Sequence, residues 1–114
     1  MLEKANLKTG ETLLVIAGTS GVGSMAVQMG KMRGSHVIAT GSTEEKRDKA
    51  IELGADHTID PSQEQWWKTV KQITNGNGAD VIFENVGEAT WQQSLLALAK
   101  GGRLTTCGAT TGSM

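Results

Sequence analysis

Short, wholly apolar runs alternate along the chain with stretches whose apolar positions recur at helical spacing. The first run is Thr12–Ala17, TLLVIA, apolar throughout after Thr12. A run of that length without polar alternation suits a strand buried on both faces. A helix is predicted over about Gly23–Arg33, where Val22, Ala26 and Met29 fall at helical spacing and Met25, Met29 and Met32 form a neighbouring row. Gly34 stands where that helix should stop. The second strand is His36–Thr40, HVIAT. Ser42 and Glu45 have the S-x-x-E spacing of a capping box, which predicts a helix running to about Leu53 and ended by Gly54. A short third strand follows at about His57–Ile59. Asp60 can cap the next helix, with Pro61 at its first position and Gln63 at the capping-box site. Trp66, Val70 and Ile73 give that helix an apolar face, and the NGNG stretch at Asn75–Gly78 closes it. The fourth strand is Asp80–Glu84. A loop at Asn85–Glu88 leads to a helix ending near Lys100. Gly101 and Gly102 break it, and Arg103–Cys107 is the fifth strand.

Strands that alternate with helices over short connections predict an α/β domain with a parallel sheet. With a right-handed crossover at each connection, about five strands take the order 3-2-1-4-5, a doubly wound sheet with helices on both faces. The length of 114 residues suits one such domain.

Between the first strand and the first helix lies the chain's main chemical signal. Gly18-Thr19-Ser20-Gly21-Val22-Gly23 follows a strand and opens a helix, the setting of the dinucleotide-binding fingerprint G-x-G-x-x-G. The first and last glycines are present. Ser20 replaces the middle one, with Gly21 beside it. The chemistry survives that change, because glycine supplies the tight turn and the backbone N–H groups opening the helix can face a pyrophosphate. Gly23 lets the helix approach the strand closely. The plain alternative is a strand-to-helix turn without a ligand. No Gly-Lys-Ser/Thr follows, which disfavours a nucleotide triphosphate loop.

The end of the second strand bears on which dinucleotide fits. A domain that binds NAD(H) usually places a carboxylate there, about 20 residues beyond the glycines, to hold the ribose 2′-hydroxyl. Here the chain offers Thr40, Gly41 and Ser42. Ser42 brings a hydroxyl, and Lys46 and Arg47 bring positive charge one turn into the next helix. This set favours NADP(H) over NAD(H), since a charge-assisted hydrogen bond contributes roughly 1.5–3 kcal/mol. Glu44 and Glu45 oppose it by lowering the local positive potential.

Composition narrows the field further. Net charge is −1, which gives no electrostatic case for nucleic acid or an anionic membrane. No stretch approaches the roughly 18 apolar residues of a membrane span. The N-terminus lacks a signal pattern, so a cytoplasmic setting is expected. One cysteine and two histidines make a zinc site in this segment unexpected. The chain has no tyrosine, which excludes the Tyr/Lys pair of a short-chain dehydrogenase.

The glycine loop, Ser42 with Lys46, and the stretches DVIFENVG and KGGRLTTCGA together resemble the cofactor-binding Rossmann domain of the medium-chain dehydrogenase/reductase superfamily. The quinone-reductase and zinc-type alcohol-dehydrogenase-like branches are the most similar. The resemblance runs from about Leu7 to Gly112 and includes Lys8-Thr9-Gly10-Glu11 and Leu53-Gly54-Ala55-Asp56. It implies that Asn85, Val86 and Gly87, after the fourth strand, approach the nicotinamide together with Cys107, Gly108 and Ala109. It implies that Ser42 and Lys46 meet a 2′-phosphate. The departures are Ser20 and Gly30, the latter where alanine is common. Mid-helix glycine costs about 1 kcal/mol relative to alanine, offset here if packing is close. The resemblance also implies that a catalytic domain, a sixth strand, any zinc ligands and the substrate pocket lie outside these residues, and that the parent enzyme is a homo-oligomer.

Other residues have simpler readings. Cys107 suits a buried strand end better than a nucleophile. His36 and His57 read as surface histidines, Trp66 as core and the methionine row as helix packing. Trp67 or Trp91 could mark a covered surface. The rival functions are an NADPH-sensing or interaction module without catalysis and, less favoured, an S-adenosylmethionine-dependent methyltransferase-like domain. The latter usually carries an acid at the end of the second strand.

Overall fold

The computed structural model describes residues 10–16, 21–63, 65–84 and 96–106. In chain order its elements are β1 (Thr12–Val15), α1 (Gly21–Met32), β2 (His36–Thr40), α2 (Glu44–Leu53), β3 (His57–Ile59), α3 (Trp66–Ile73), β4 (Ala79–Glu84) and β5 (Leu98–Thr106). The five strands form one sheet in the order β3-β2-β1-β4-β5, and every neighbouring pair is parallel. The expected α/β architecture and strand order are therefore present.

Alternation along the strands divides the interior into two cores. Leu13 and Val15 of β1, Val37 and Ala39 of β2, and Val81 and Phe83 of β4 face one side. There they pack against Ala26 and Val27 of α1 and Ala50 of α2. Leu14, Ile38 and Ile82 face the other side with Trp66 and Val70 of α3. Successive residues of a strand point to opposite faces, so a central strand with helices on both sides must be apolar at every position. Leu13, Leu14 and Val15 are all fully buried. Trp66 belongs to this core, as its spacing predicts, and Trp67 and Ile73 pack against it partly buried.

α1 reaches the sheet through Gly30. A Cβ placed there would stand 2.6 Å from Leu13 Cδ2 and 3.0 Å from Val37 Cγ2. Leu13 and Val37 are both fully buried, so neither can yield cheaply. The low helical propensity of this glycine is therefore offset by a closer helix–sheet approach. The methionine row behaves differently from the packing expected of it. Met29 packs on the core, but Met25 and Met32 are 56% and 86% exposed. Gly23, Ala26, Val27 and Gly30 hold the buried face instead.

Three boundaries depart from the sequence reading. α1 begins at Gly21, two residues earlier than expected. Asp60 does not cap α3. Its Oδ1 accepts hydrogen bonds from Ser62 N at 2.9 Å and Ser62 Oγ at 2.6 Å, closing a local turn. α3 starts only at Trp66, behind Gln65 in the left-handed region with no side-chain cap. β5 begins at Leu98 rather than Arg103. Pairing with β4 overrides the local helical pattern, and Gly101 and Gly102 sit within the strand. Leu98 opposes Ala79 and Arg103 opposes Val81, so the extra residues bulge out. Gly101 takes φ +80°, and a Cβ on Gly102 would stand 2.9 Å from Ala99 O. Of the fourth expected helix, only residues 96–97 are described. Trp91 lies outside the described residues.

The edge of the sheet where the strands begin is held by carboxylates. Asp80 Oδ2 accepts from Thr12 N at 2.8 Å, and Asp56 Oδ2 from Val37 N at 2.8 Å. Lys31 Nζ lies 3.4 Å from Asp56 Oδ1. His36 and His57 stack nearby at 4.9 Å between ring centroids, and both are exposed as expected. Burial pushes the Asp56 pKa up, but the Val37 amide, then Lys31 and His36, outweigh it and hold the carboxyl below its ordinary value.

Two tests follow from this packing. Gly30→Ala should lower the melting temperature, because overpacking costs about 1–3 kcal/mol against a propensity gain of about 1. Leu13→Val in the same background should recover part of the loss. A carboxyl with a lowered folded pKa contributes stability above its unfolded pKa, near 3.9, and loses it as pH falls through the folded value. The stability gap between wild type and Asp56→Asn should therefore close between about pH 5 and pH 3 in thermal melts.

Candidate dinucleotide site

The opposite edge, where the strands end, carries the candidate chemistry. In a doubly wound sheet ligands bind at this edge, at the point where the strand order reverses. Here that point lies between β1 and β4, whose ends are joined by Ile16 N donating to Phe83 O at 2.9 Å. α1 begins at Gly21, just after β1 in the chain, and Gly23 in its first turn is buried. Gly18 and Ser20 lie outside the described residues, and Val22 is described only as part of α1. Glu84 of β4 pairs with Thr106 of β5. Asn85, Val86 and Gly87, which follow Glu84, lie outside the described residues, as do Cys107, Gly108 and Ala109, which follow Thr106.

The end of β2 is fully described. Thr40 is buried at 1% exposure, and Gly41 is buried with its N–H donating to Ile59 O at 3.0 Å. Gly41 lies under the first turn of α2, where a Cβ would stand 3.0 Å from Arg47 N. Ser42 then emerges into solvent. Lys46 Nζ donates to Ser42 Oγ at 3.3 Å, so the hydroxyl and the ammonium expected to act together are in contact. Lys46 shares its surface with Lys49 and with the acids Glu44, Glu45, Asp48 and Glu52, and those acids lower the local positive potential, as Glu44 and Glu45 suggest in the sequence.

Ser42 does not cap α2. Thr43 is the N-cap, in extended conformation, and its Oγ1 accepts from Lys46 N at 3.1 Å. The one-residue displacement matters. A capping Ser42 would spend its hydroxyl on the backbone. With Thr43 in that role, Ser42 keeps its side chain at the surface.

Arg47 parts from Lys46. Its Nη1 donates to Gly41 O at 2.9 Å and lies 3.7 Å from Asp60 Oδ2. The side chains of Arg47 and Asp60 are only 25% and 27% exposed. Ser62, through its hydroxyl and then its amide, and Arg47 hold the Asp60 carboxyl below its ordinary pKa. Sequence spacing alone does not reveal this contact. It depends on β3 pairing with β2 in a register that sets Ile59 beside Thr40. Among the described residues no cluster of His, Cys, Asp or Glu could hold a metal ion, and no helix is long and apolar enough to cross a membrane.

The five-stranded parallel sheet in the order β3-β2-β1-β4-β5, with helices packed on both faces, defines a Rossmann-type α/β domain. The family model of the zinc-binding dehydrogenases matches residues 21–114, and the chain belongs to that family, within the medium-chain dehydrogenases/reductases. It is 43% identical over 108 residues to a probable quinone oxidoreductase of Schizosaccharomyces pombe, covering 95% of this chain and 32% of that protein. It is 37% identical over 106 residues to a 2-haloacrylate reductase of a Burkholderia species, covering 93% and 32%. Among solved structures it superposes on an NAD-dependent alcohol dehydrogenase with a TM-score of 0.91 and 37% identity, covering 96% of this chain and 32% of the other. A mycobacterial protein complexed with NADPH gives a TM-score of 0.81 at 37% identity, covering 86% and 30%. The chain thus spans about a third of the length of these two curated relatives.

The displaced cap is testable by denaturation. Thr43→Ala should cost about 1 kcal/mol of stability, whereas Ser42→Ala should leave stability nearly unchanged.

Proposed function

We propose that this chain is the NADP(H)-binding domain of an oxidoreductase that transfers hydride between nicotinamide and a carbonyl, alcohol or quinone-type substrate. The observation that carries this reading is the contact of Lys46 Nζ with Ser42 Oγ, 3.3 Å, at a strand end whose residues Thr40, Gly41 and Ser42 include no carboxylate. An ammonium and a hydroxyl suit a phosphate dianion, and both are exposed enough to meet one. A ribose 2′-hydroxyl is usually held by a carboxylate, which Thr40, Gly41 and Ser42 do not supply. Relatives of equal identity include one described as NAD-dependent and one complexed with NADPH, so the cofactor preference rests on these side chains rather than on the shared fold.

Bound nicotinamide would supply the hydride chemistry. The protein's part is to bind and orient. The backbone at Gly18–Gly23 receives the pyrophosphate, and Ser42 with Lys46 receives the 2′-phosphate. Asn85, Val86, Gly87, Cys107, Gly108 and Ala109 border the nicotinamide. In this reading the catalytic residues belong to a separate domain of the enzyme, and these residues alone turn nothing over.

Calorimetric titration with NADPH and NADH checks the proposal. NADPH should bind tighter, and Lys46→Ala should weaken it roughly 10- to 100-fold while leaving NADH unchanged. Equal affinities of the wild-type protein for the two cofactors would sink the reading.

A further inference from the structure

Arg47 is grouped with Lys46 by its sequence position, but its guanidinium is turned to Gly41 and Asp60. We propose that Arg47 is a positioning residue for cofactor selection. It shapes the site through the Gly41 carbonyl and the Asp60 carboxylate, without touching the cofactor. This rests on the NADP(H) reading above.

Three observations converge on it. The guanidinium is already engaged through Nη1, which donates to Gly41 O at 2.9 Å and lies 3.7 Å from Asp60 Oδ2, and its side chain is three-quarters covered. Its backbone and Cγ press on Gly41, where a Cβ would stand 3.0 Å from each. Gly41 N is in turn bonded to Ile59 O at 3.0 Å. Gly41 is therefore held through its amide by β3 and through its carbonyl by α2. Ser42 is the next residue, so the position of its hydroxyl follows from this clamp.

The second effect is electrostatic. Ser42 and Asp60 each stand one residue beyond the Gly41–Ile59 bond, just past the ends of the neighbouring strands β2 and β3. Adjacent strands lie about 4.8 Å apart, well inside the screening length of about 8 Å at physiological salt. Asp60 is ionised at neutral pH, since its carboxyl is held below its ordinary value. An uncompensated carboxylate so close would repel a phosphate dianion and favour a plain ribose hydroxyl. Arg47 cancels that charge where it arises. A planar guanidinium can serve a carbonyl and a carboxylate together, which a lysine ammonium does less well.

The test is a set of titrations with NADPH and NADH on the wild type, Arg47→Lys, Arg47→Met, Asp60→Asn and the Arg47→Met/Asp60→Asn double variant. Arg47→Met should weaken NADPH about tenfold and leave NADH unchanged or tighter. Adding Asp60→Asn should restore much of the NADPH affinity, because the repelling charge is gone. Arg47→Lys keeps a cation in reach of a phosphate but ends one atom short of Nη1 and so loses its hold on Gly41 O and Asp60, and should lose most of the selectivity. The inference is overturned if Arg47→Lys binds NADPH like the wild type, or if Asp60→Asn gives no recovery. Either result makes Arg47 a direct phosphate ligand. If Arg47→Met does not fold, the Arg47→Lys titration decides alone. Equal wild-type affinities for the two cofactors overturn the reading of the site and this inference with it. Wild-type preference for NADPH combined with an unaffected Arg47→Lys overturns the inference only.

Discussion

β1 has no face turned to water. Leu13 and Val15 point into one core, Leu14 and Ile16 into the other, and none of the four is more than 3% exposed. A strand of this kind is stable only between two layers of helix. α1 and α2 supply one layer and α3 contributes to the other. Parallel neighbours require crossovers, and crossovers send every strand in the same direction. All the strand ends therefore gather along one edge, with the order reversing beside β1. The location of the candidate site is a consequence of how the middle of the sheet is buried.

Closeness of α1 to that sheet sets how well the site is built. Gly30 brings the helix axis nearer to Leu13 and Val37 than an alanine would permit. The same helix begins at Gly21, so its orientation aims the N–H groups of its first turn. Packing in the lower part of the helix and the direction of the N–H groups at its start are thus two aspects of one element. The opposite edge serves stability: Asp56 and Asp80 accept from backbone amides of β2 and β1, where the strands enter.

At the β2–β3 corner, three neighbouring polar side chains take three separate tasks. Thr43 caps α2, Lys46 joins Ser42, and Arg47 spans Gly41 and Asp60. A reading by charge alone groups Lys46 with Arg47. Their surroundings separate them, because consecutive residues on a helix point about 100° apart. One faces the solvent above the strand end, and the other lies across it. What a cation can do at this corner therefore depends on which residues it is already bonded to as well as on which cations are present.

Periodicity determined a good deal by itself. The two-sided strands, His36–Thr40 and His57–Ile59 to the residue, the apolar face of α3, the strand order and the glycine-marked turns were legible because burial imposes its period directly on the residue types. The grouping of Ser42 with Lys46 came instead from the family resemblance, and the structure places the two side chains in contact. What the sequence left undecided depended on partners distant along the chain. Asp60 closes its own turn with Ser62 and meets Arg47, instead of capping α3. Leu98 joins β5 because β4 lies beside it, against a local pattern that reads as helix. Met25 and Met32 stay exposed because only one stripe of α1 can meet the sheet. Local spacing cannot weigh such competitors, since a cap, a turn and an ion pair draw on the same few polar atoms. Only the packed chain, with its strands in register, decides which of them each atom serves.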